Sequence, residues 1–382
     1  MTAEETPASS NDDETTQAQT TTEALEWHAP VLVRIDEHTT IPHLLKERVQ
    51  RGATRPLILR KIGIGDTWRS ITAREFYDEV HALAAGLIAR GLEPGDRVAI
   101  MSRTRYEWTL LDFACWAAAL VPVPIYETSS IDQVAHVLVD ADVTLIITET
   151  VSMAEIVRAA AEREKRANTH VLSLDSEAID TLIADGAATP RERVLARSDA
   201  LTKDDIATIV YTSGTTGTPK GTVLSHENFT NLCLNAHAWM PEIAAGKDSR
   251  LLLFLPLAHV FARFLQVFQI SGNGVLGHAS NIKNLLGDLA SFRPSYLLVV
   301  PRVLEKIYNS ADTKASGPKR KIFRWAAKIA IAYSQALETD DGPTASLKAQ
   351  HALADKLVYQ QIIRLVGGNA DYIVSGGAPL AT

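Results

Sequence analysis

Between residue 44 and about residue 185 the hydrophobic pattern switches repeatedly between helical spacing and short β-branched runs. This alternation constrains the fold more than any other feature. Residues 71–90 carry Phe76, Val80, Leu83, Ala84 and Leu87 at helical spacing, and Gly91-Leu92-Glu93-Pro94-Gly95-Asp96 then breaks the run. Residues 97–101 follow as a short buried strand, and 106–120 as an apolar helix. Residues 121–125 read as a strand. Pro122 and Pro124 within it predict an edge or a strand end, because proline cannot donate to a central ladder. Next come a helix over 130–140, with Ser129 or Ser130 placed to cap it, and a strand over 143–148. A helix over 152–166 and a strand over 171–174 complete the series. Strands alternating with helices of about ten to fifteen residues predict a mainly parallel sheet in an α/β domain. No internal repeat is visible.

The sequence turns polar around 188–205, which predicts a connection, and we place a subdomain break at 186–205. Apolar runs at 206–211 and 251–255 follow, separated by a Gly/Thr/Ser-rich loop and a helix. Residues 296–300 predict a buried strand closed by Pro301. Residues 303–338 and 348–366 read as helical, interrupted by Thr339-Asp340-Asp341-Gly342-Pro343, and 372–374 as a strand running into Ser375-Gly376-Gly377-Ala378-Pro379. The acid pairs Asp204/Asp205 and Asp340/Asp341 sit at breakers and read as loop or cap residues.

Charge narrows the function classes. The net charge is −7, yet the first 26 residues hold seven acids and no Lys or Arg, so the rest of the chain is neutral. A neutral body offers no basic field for nucleic acid. The segment 1–26 is rich in Thr, Ser, Gln and acid, and is expected to be a disordered tail ahead of a body at 27–382. It lacks the basic start and apolar stretch of a signal peptide. The best candidate span, 251–270, is interrupted by Pro256, His259, Arg263, Gln266 and Gln269, so a soluble, cytoplasmic protein is expected. Two cysteines, Cys115 and Cys233, lie among apolar neighbours and predict reduced core thiols. The basic stretch 318–338 carries apolar residues near helical spacing. Peripheral membrane contact through it is conceivable, but an ordinary surface helix packing its apolar stripe on the body is the favoured reading.

Residues 211–221 read Tyr211-Thr212-Ser213-Gly214-Thr215-Thr216-Gly217-Thr218-Pro219-Lys220-Gly221, five Ser/Thr hydroxyls and three glycines around one lysine. Glycines let backbone N–H groups approach an anion, hydroxyls add donors, and lysine adds a point charge, as polyphosphate binding requires. The loop is not of the Walker type. Pro219 precedes the lysine where that motif needs glycine, and Thr222-Val223-Leu224 intervenes before Ser225 can cap a helix.

Here the sequence resembles the adenylate-forming superfamily, which includes acyl-CoA synthetases, luciferases and peptide-synthetase adenylation domains. Residues 211–221 match its signature loop. Leu255-Pro256-Leu257-Ala258-His259-Val260-Phe261 resembles its next motif in fatty-acyl form. Val300-Pro301-Arg302-Val303-Leu304-Glu305-Lys306-Ile307 resembles a segment typical of long-chain acyl-CoA synthetases, and Asp371-Tyr372-Ile373-Val374-Ser375-Gly376-Gly377-Ala378-Pro379-Leu380 their adenine-side loop. The order and content point to the long-chain fatty-acid–CoA ligase branch.

The resemblance implies the large α/β N-terminal domain of such an enzyme, two α/β subdomains with a β-rich part, incomplete. It implies ATP, Mg2+, coenzyme A and a long-chain fatty acid as the reacting partners. Thr212, Ser213, Gly214, Thr215, Thr216, Gly217 and Lys220 would hold the phosphates, with Thr212 near the metal. Gly376, Gly377, Ala378 and Pro379 would wall the adenine. A histidine in an apolar run is ordinarily a satisfied core residue. His259, however, matches a family histidine beside the adenylate and acyl entrance, so Lys220 and His259 are the catalytic candidates. Arg263, one turn on, is expected to make a structural pair. The family's Tyr-Gly-x-Thr-Glu motif, ribose aspartate, hinge and C-terminal lysine have no match before Thr382. Lys348 and Lys356 are expected to be solvated and no substitute. The chain is therefore expected to be the N-terminal part of a longer enzyme, inactive by itself. Two alternatives stand beside this reading: a fatty acyl-AMP ligase serving a carrier protein, and a non-catalytic nucleotide- or acyl-binding module.

Overall fold

Two four-stranded sheets and two two-stranded ones organise the described residues, and the helices between the strands supply their cover. The computed structural model describes residues 30–63, 65–166, 169–212, 218–244, 246 and 249–376. The chain divides into Met1–Leu32 and Val33–Thr382. Residues 30–32 of the first unit are exposed, and the acidic segment 1–26 lies outside the described residues.

The second unit begins with α1 (Ile41–Gly52), β1 (Pro56–Lys61), β2 (Trp68–Thr72), α2 (Ala73–Ala89) and β3 (Arg97–Met101). It continues through α3 (Tyr106–Ala117), β4 (Val121–Ile125), α4 (Ile131–Asp140), β5 (Val143–Thr148), α5 (Val151–Arg163) and β6 (His170–Ser173). Then come α6 (Ala178–Asp185), α7 (Arg191–Ala200), β7 (Ile206–Thr212), β8 (Lys220–Ser225), α8 (His226–Trp239) and the short α9 (Pro241–Ala244). The remainder is β9 (Arg250–Leu253), α10 (Val260–Ser271), β10 (Val275–His278), α11 (Leu285–Phe292), β11 (Tyr296–Val299) and α12 (Pro301–Lys314). It closes with α13 (Gly317–Leu337), α14 (Ala345–Ala354), α15 (Gln360–Leu365) and β12 (Tyr372–Ser375).

The first sheet, in order β4-β3-β5-β6, is wholly parallel, as the strand–helix alternation requires. Proline-bearing β4 lies at its edge, where Pro122 and Pro124 face Val98 and Ile100. Ser130 caps α4 through a reciprocal box with Gln133, and Thr72 caps α2 in the same way with Glu75. The second sheet, β2-β1-β10-β9, is parallel apart from β2. Hydrogen bonds between Arg250 and Ser295 link β9 to the start of β11, which pairs in parallel with β12. Strands β7 and β8 form an antiparallel hairpin.

The main core is aromatic around α2 and α3. Phe76 packs edge-on to Phe113, with ring centroids 5.6 Å apart, and Phe113 to Trp116 at 5.1 Å. Such pairs add roughly 0.5–1.5 kcal/mol beyond the area they bury. Cys115 and Cys233 are buried free thiols, as the sequence led us to expect.

Three stretches differ from the sequence pattern. The polar residues 188–205 contain α7, whose Arg197 reaches the carbonyl of Leu92 at 2.7 Å and Glu93 at 2.8 Å. The apparent single helix over 303–338 is two helices. Ser316 adopts an extended backbone and Gly317 a positive φ, and Pro318 opens the next helix. The helix over 348–366 contains a π turn at Asp355–Tyr359 between α14 and α15. The apolar stripe of α13, Phe323, Ala326 and Ile329, packs on Ala354 and Val358 as a satellite cluster. Among the described residues no helix is long and apolar enough to cross a membrane.

Candidate nucleotide site

The hairpin register brings the ends of the patterned loop together, Tyr211 opposite Gly221 and Thr212 opposite Lys220. The loop therefore runs from strand to strand, and the following helix starts only at His226, capped by Ser225. Thr212 and Lys220 are both exposed at the hairpin tip. Ser213, Gly214, Thr215, Thr216 and Gly217 lie outside the described residues.

Helix α4 braces both ends of this loop. The Tyr211 hydroxyl bonds to Asp140 at 2.6 Å, and His136 Nε2 bonds to the carbonyl of Pro219 at 2.8 Å. The rings of His136 and Tyr211 meet edge to face at 5.7 Å. Burial, together with the bond to Asp140, pushes the Tyr211 phenol above its ordinary value, so it stays a donor. Sequence reasoning missed His136 and Asp140. Their spacing of four residues on one helix was the available signal, and many surface positions share it.

A cavity of about 330 Å³ opens beside the hairpin, lined by Pro124, Ile125, Tyr126 and Ser129 after β4, by Gln133 and Val137 of α4, by Val210, Tyr211, Thr212 and Pro219, and by His259 and Val260. Two candidates distant in sequence, Thr212 and His259, thus share one cavity. His259 caps α10, its Nδ1 accepting from the backbone N–H of Phe261 at 3.2 Å. That bond needs a lone pair on Nδ1, so in the neutral ring Nε2 carries the proton and is the donor.

One turn into α10, Arg263 is fully buried and bonds to Asp112 on α3 at 2.7 Å. It also donates to Thr208 of β7 at 2.9 Å, and Thr208 donates to the carbonyl of Pro122 at 2.7 Å. Gln266 adds a bond to Asp112 at 2.8 Å. Arg263 is a structural pair, as expected. It ties the strand that leads into the loop to the helix that begins at His259.

Gly376 follows β12, its N–H donating to Val299 at 3.3 Å, with open space where a Cβ would stand. It does not line the cavity of Thr212 and His259. Gly377, Ala378 and Pro379 lie outside the described residues. Lys348 and Lys356 are exposed on the helices of the satellite cluster. The donors present do not make a resident metal site. The cavity lining holds no carboxylate, and among the described residues no three His, Cys, Asp or Glu side chains are grouped to hold an ion.

The architecture is that of an adenylation domain. It superimposes on the A domain of a carboxylic acid reductase from Segniliparus rugosus with a TM-score of 0.64 at 20% identity, covering 90% of this chain and 57% of that one. Against a Mycobacterium tuberculosis fatty acyl CoA synthetase the TM-score is 0.60 at 23% identity, covering 71% and 51%. Residues 45–382 match the AMP-binding enzyme family, and the chain belongs to it. It is 40% identical over 358 residues to the long-chain-fatty-acid–CoA ligase FadD15 of Mycobacterium bovis, covering 93% of this chain and 59% of that protein. It is 29% identical to long chain acyl-CoA synthetase 5 of Arabidopsis thaliana, covering 86% and 51%. The chain thus spans between half and two thirds of the length of these relatives.

Proposed function

We propose that this chain is the nucleotide-binding body of an AMP-forming long-chain fatty-acid–CoA ligase. The observation that carries this reading is the shared cavity of Thr212, Pro219 and His259, set on an adenylation-domain fold. In the reaction a carboxylate oxygen attacks the α-phosphorus of ATP and the bond to pyrophosphate breaks. The thiol of coenzyme A then attacks the acyl carbon, and AMP leaves. Magnesium enters with ATP as part of the substrate. The residues 212–217 and Lys220 would hold the β- and γ-phosphates, and the Thr212 hydroxyl, which lines the cavity, would lie near the magnesium that ATP brings. His259 Nε2 donates towards the adenylate, and Gly376 to Pro379 wall the adenine. Two anions must meet in the first step, so donors fixed in advance lower its barrier.

The test is pyrophosphate release from MgATP by a protein that carries these residues within the length of its relatives. Release is expected to depend on a long-chain fatty acid such as palmitate, with acyl-CoA forming when coenzyme A is added. Release that is indifferent to the acid overturns the proposal.

A further inference from the structure

A second cavity, of about 500 Å³, shares no lining residue with the one beside the hairpin. It lies past the carboxyl ends of β1, β3, β5 and β10, the place where open α/β sheets gather ligands. Arg60, Lys61, Arg103 and Arg105 line it, with Glu107, Glu149, Asp175 and Asp288. The arrangement is layered. Glu149 is 4% exposed behind Arg103 at 46%, Glu107 11% behind Arg60 at 40%, and Asp288 5% behind Lys61 at 18%.

The carboxylates spend their lone pairs inward. Glu149 accepts from Arg103 Nε at 3.0 Å and Nη2 at 2.5 Å, from the Arg103 backbone N–H at 2.8 Å, and from Ser102 at 3.3 Å. Glu107 accepts from Arg105 at 2.6 Å and from Arg60. Arg60 is further fixed by stacking over Tyr106 at 4.6 Å. Nη1 of Arg60 and Nη1 of Arg103 keep their donors without a hydrogen-bond partner among the described residues.

We propose that this cavity is a binding site for a phosphate-type oxyanion, either free phosphate or a phosphate monoester. Guanidinium groups held rigidly by buried carboxylates present their remaining N–H donors at fixed spacing, which a tetrahedral oxyanion matches and a halide does not. The four cations and four acids balance formally, so attraction depends on close contact with the forks. Binding is therefore only weakly sensitive to salt, in contrast to an open basic patch.

Calorimetric titration of the chain with inorganic phosphate, and separately with glycerol 3-phosphate, tests this at matched chloride ionic strength. A Lys220→Ala background weakens anion binding at the hairpin, and the response to Arg60→Gln, which lies outside the hairpin cavity, assigns the remaining binding to this one. Saturable binding is expected there, weakened about tenfold by Arg60→Gln and by Arg103→Lys. In the first variant Arg105 still serves Glu107, and in the second a cation still faces Glu149, so neither leaves a buried carboxylate bare. Circular dichroism checks both folds, and Arg60→Gln decides if Arg103→Lys is destabilised. Equal affinity for the two ligands assigns a bare phosphoryl group, and tighter binding of the ester assigns a monoester. No saturable binding of either, or binding that Arg60→Gln leaves unchanged, overturns the proposal.

Discussion

At the residue scale, Lys220 and Tyr211 divide the work at the hairpin. Lys220 is exposed, and among the described residues its side chain has no ion pair or hydrogen bond, so it contributes little to stability. In a protein that carries these residues within the length of its relatives, Lys220→Ala is expected to cut fatty-acid-dependent pyrophosphate release on the order of 10²-fold, the cost of one transition-state charge donor. Its melting temperature should match the parent, and unchanged release would remove Lys220 from the site. Tyr211 behaves differently, because its hydroxyl anchors the loop to Asp140. Tyr211→Phe is expected to cost about 1 kcal/mol in urea unfolding, the usual net value of one hydrogen bond. An ATP affinity that falls along with stability in this variant would show that bracing by α4 matters to binding. The lysine was legible in the sequence because it stands within eleven patterned residues. Asp140 and His136 were not, since they read as ordinary polar positions until the sheet order brings α4 against the hairpin.

At the element scale, β7, α3 and α10 are locked by a buried polar chain with no apolar substitute in place. Arg263 and Asp112 are both fully buried, and Thr208 and Gln266 complete their hydrogen bonding. Burial pushes the Asp112 carboxyl up and the Arg263 guanidinium down, and each opposes the other's neutralisation. Arg263→Met should therefore cost about 3–5 kcal/mol, mostly for the bare Asp112 that remains. Asp112→Leu combined with Arg263→Met should recover much of that loss in urea melts. A double variant as unstable as the single one would show that packing, and not charge, sets the cost. The strands and most helices of this region were readable from hydrophobic period, including the edge position of β4 from its prolines. The pairing was only half readable. Arg263 lies one turn after His259 and invited a structural role, whereas Asp112 stands 151 positions away and reads as one polar residue in an apolar helix. The break between α12 and α13 was missed for a local reason: apolar spacing continues across it, and only the Gly317-Pro318 pair signals the stop.

At the scale of the whole molecule, acid sensitivity follows from histidines that fold in their neutral form. His226 is almost completely buried, and its Nδ1 accepts from the backbone N–H of Ile41 at 3.3 Å, which ties α8 to α1. Burial depresses its pKa to about 4, with Asp205 opposing only in part. His278 is likewise held at about 4 by burial, against the opposing charge of Glu107. There a neighbouring chain fixes the proton. Gln266 turns its amide nitrogen to Asp112, so its oxygen faces Thr109 and takes that hydroxyl's proton, and Thr109 can then only accept from His278 Nε2 at 2.7 Å. In the unfolded chain both imidazoles titrate near 6.5, so below that pH the unfolded state binds more protons than the folded one. Stability is thus full above about 6.5 and falls as pH drops towards 4. Between pH 7 and 5 the loss should be about 2 kcal/mol for each of the two residues. His81 and His237, also depressed by burial, act in the same direction. The paired carboxyls of Glu107 and Glu149 are favoured as anions despite burial by the bonds from Arg105 and Arg103, and they add their loss only below about 4.5. Urea midpoints measured at half-unit steps from pH 7 to 5 should therefore decline steadily. His226→Gln, which keeps an acceptor for Ile41 without a proton to gain, should flatten the slope by roughly one proton. A midpoint that stays level across this range would mean that both rings are charged in the folded protein, and that the polar chain from Thr208 to His278 is arranged differently.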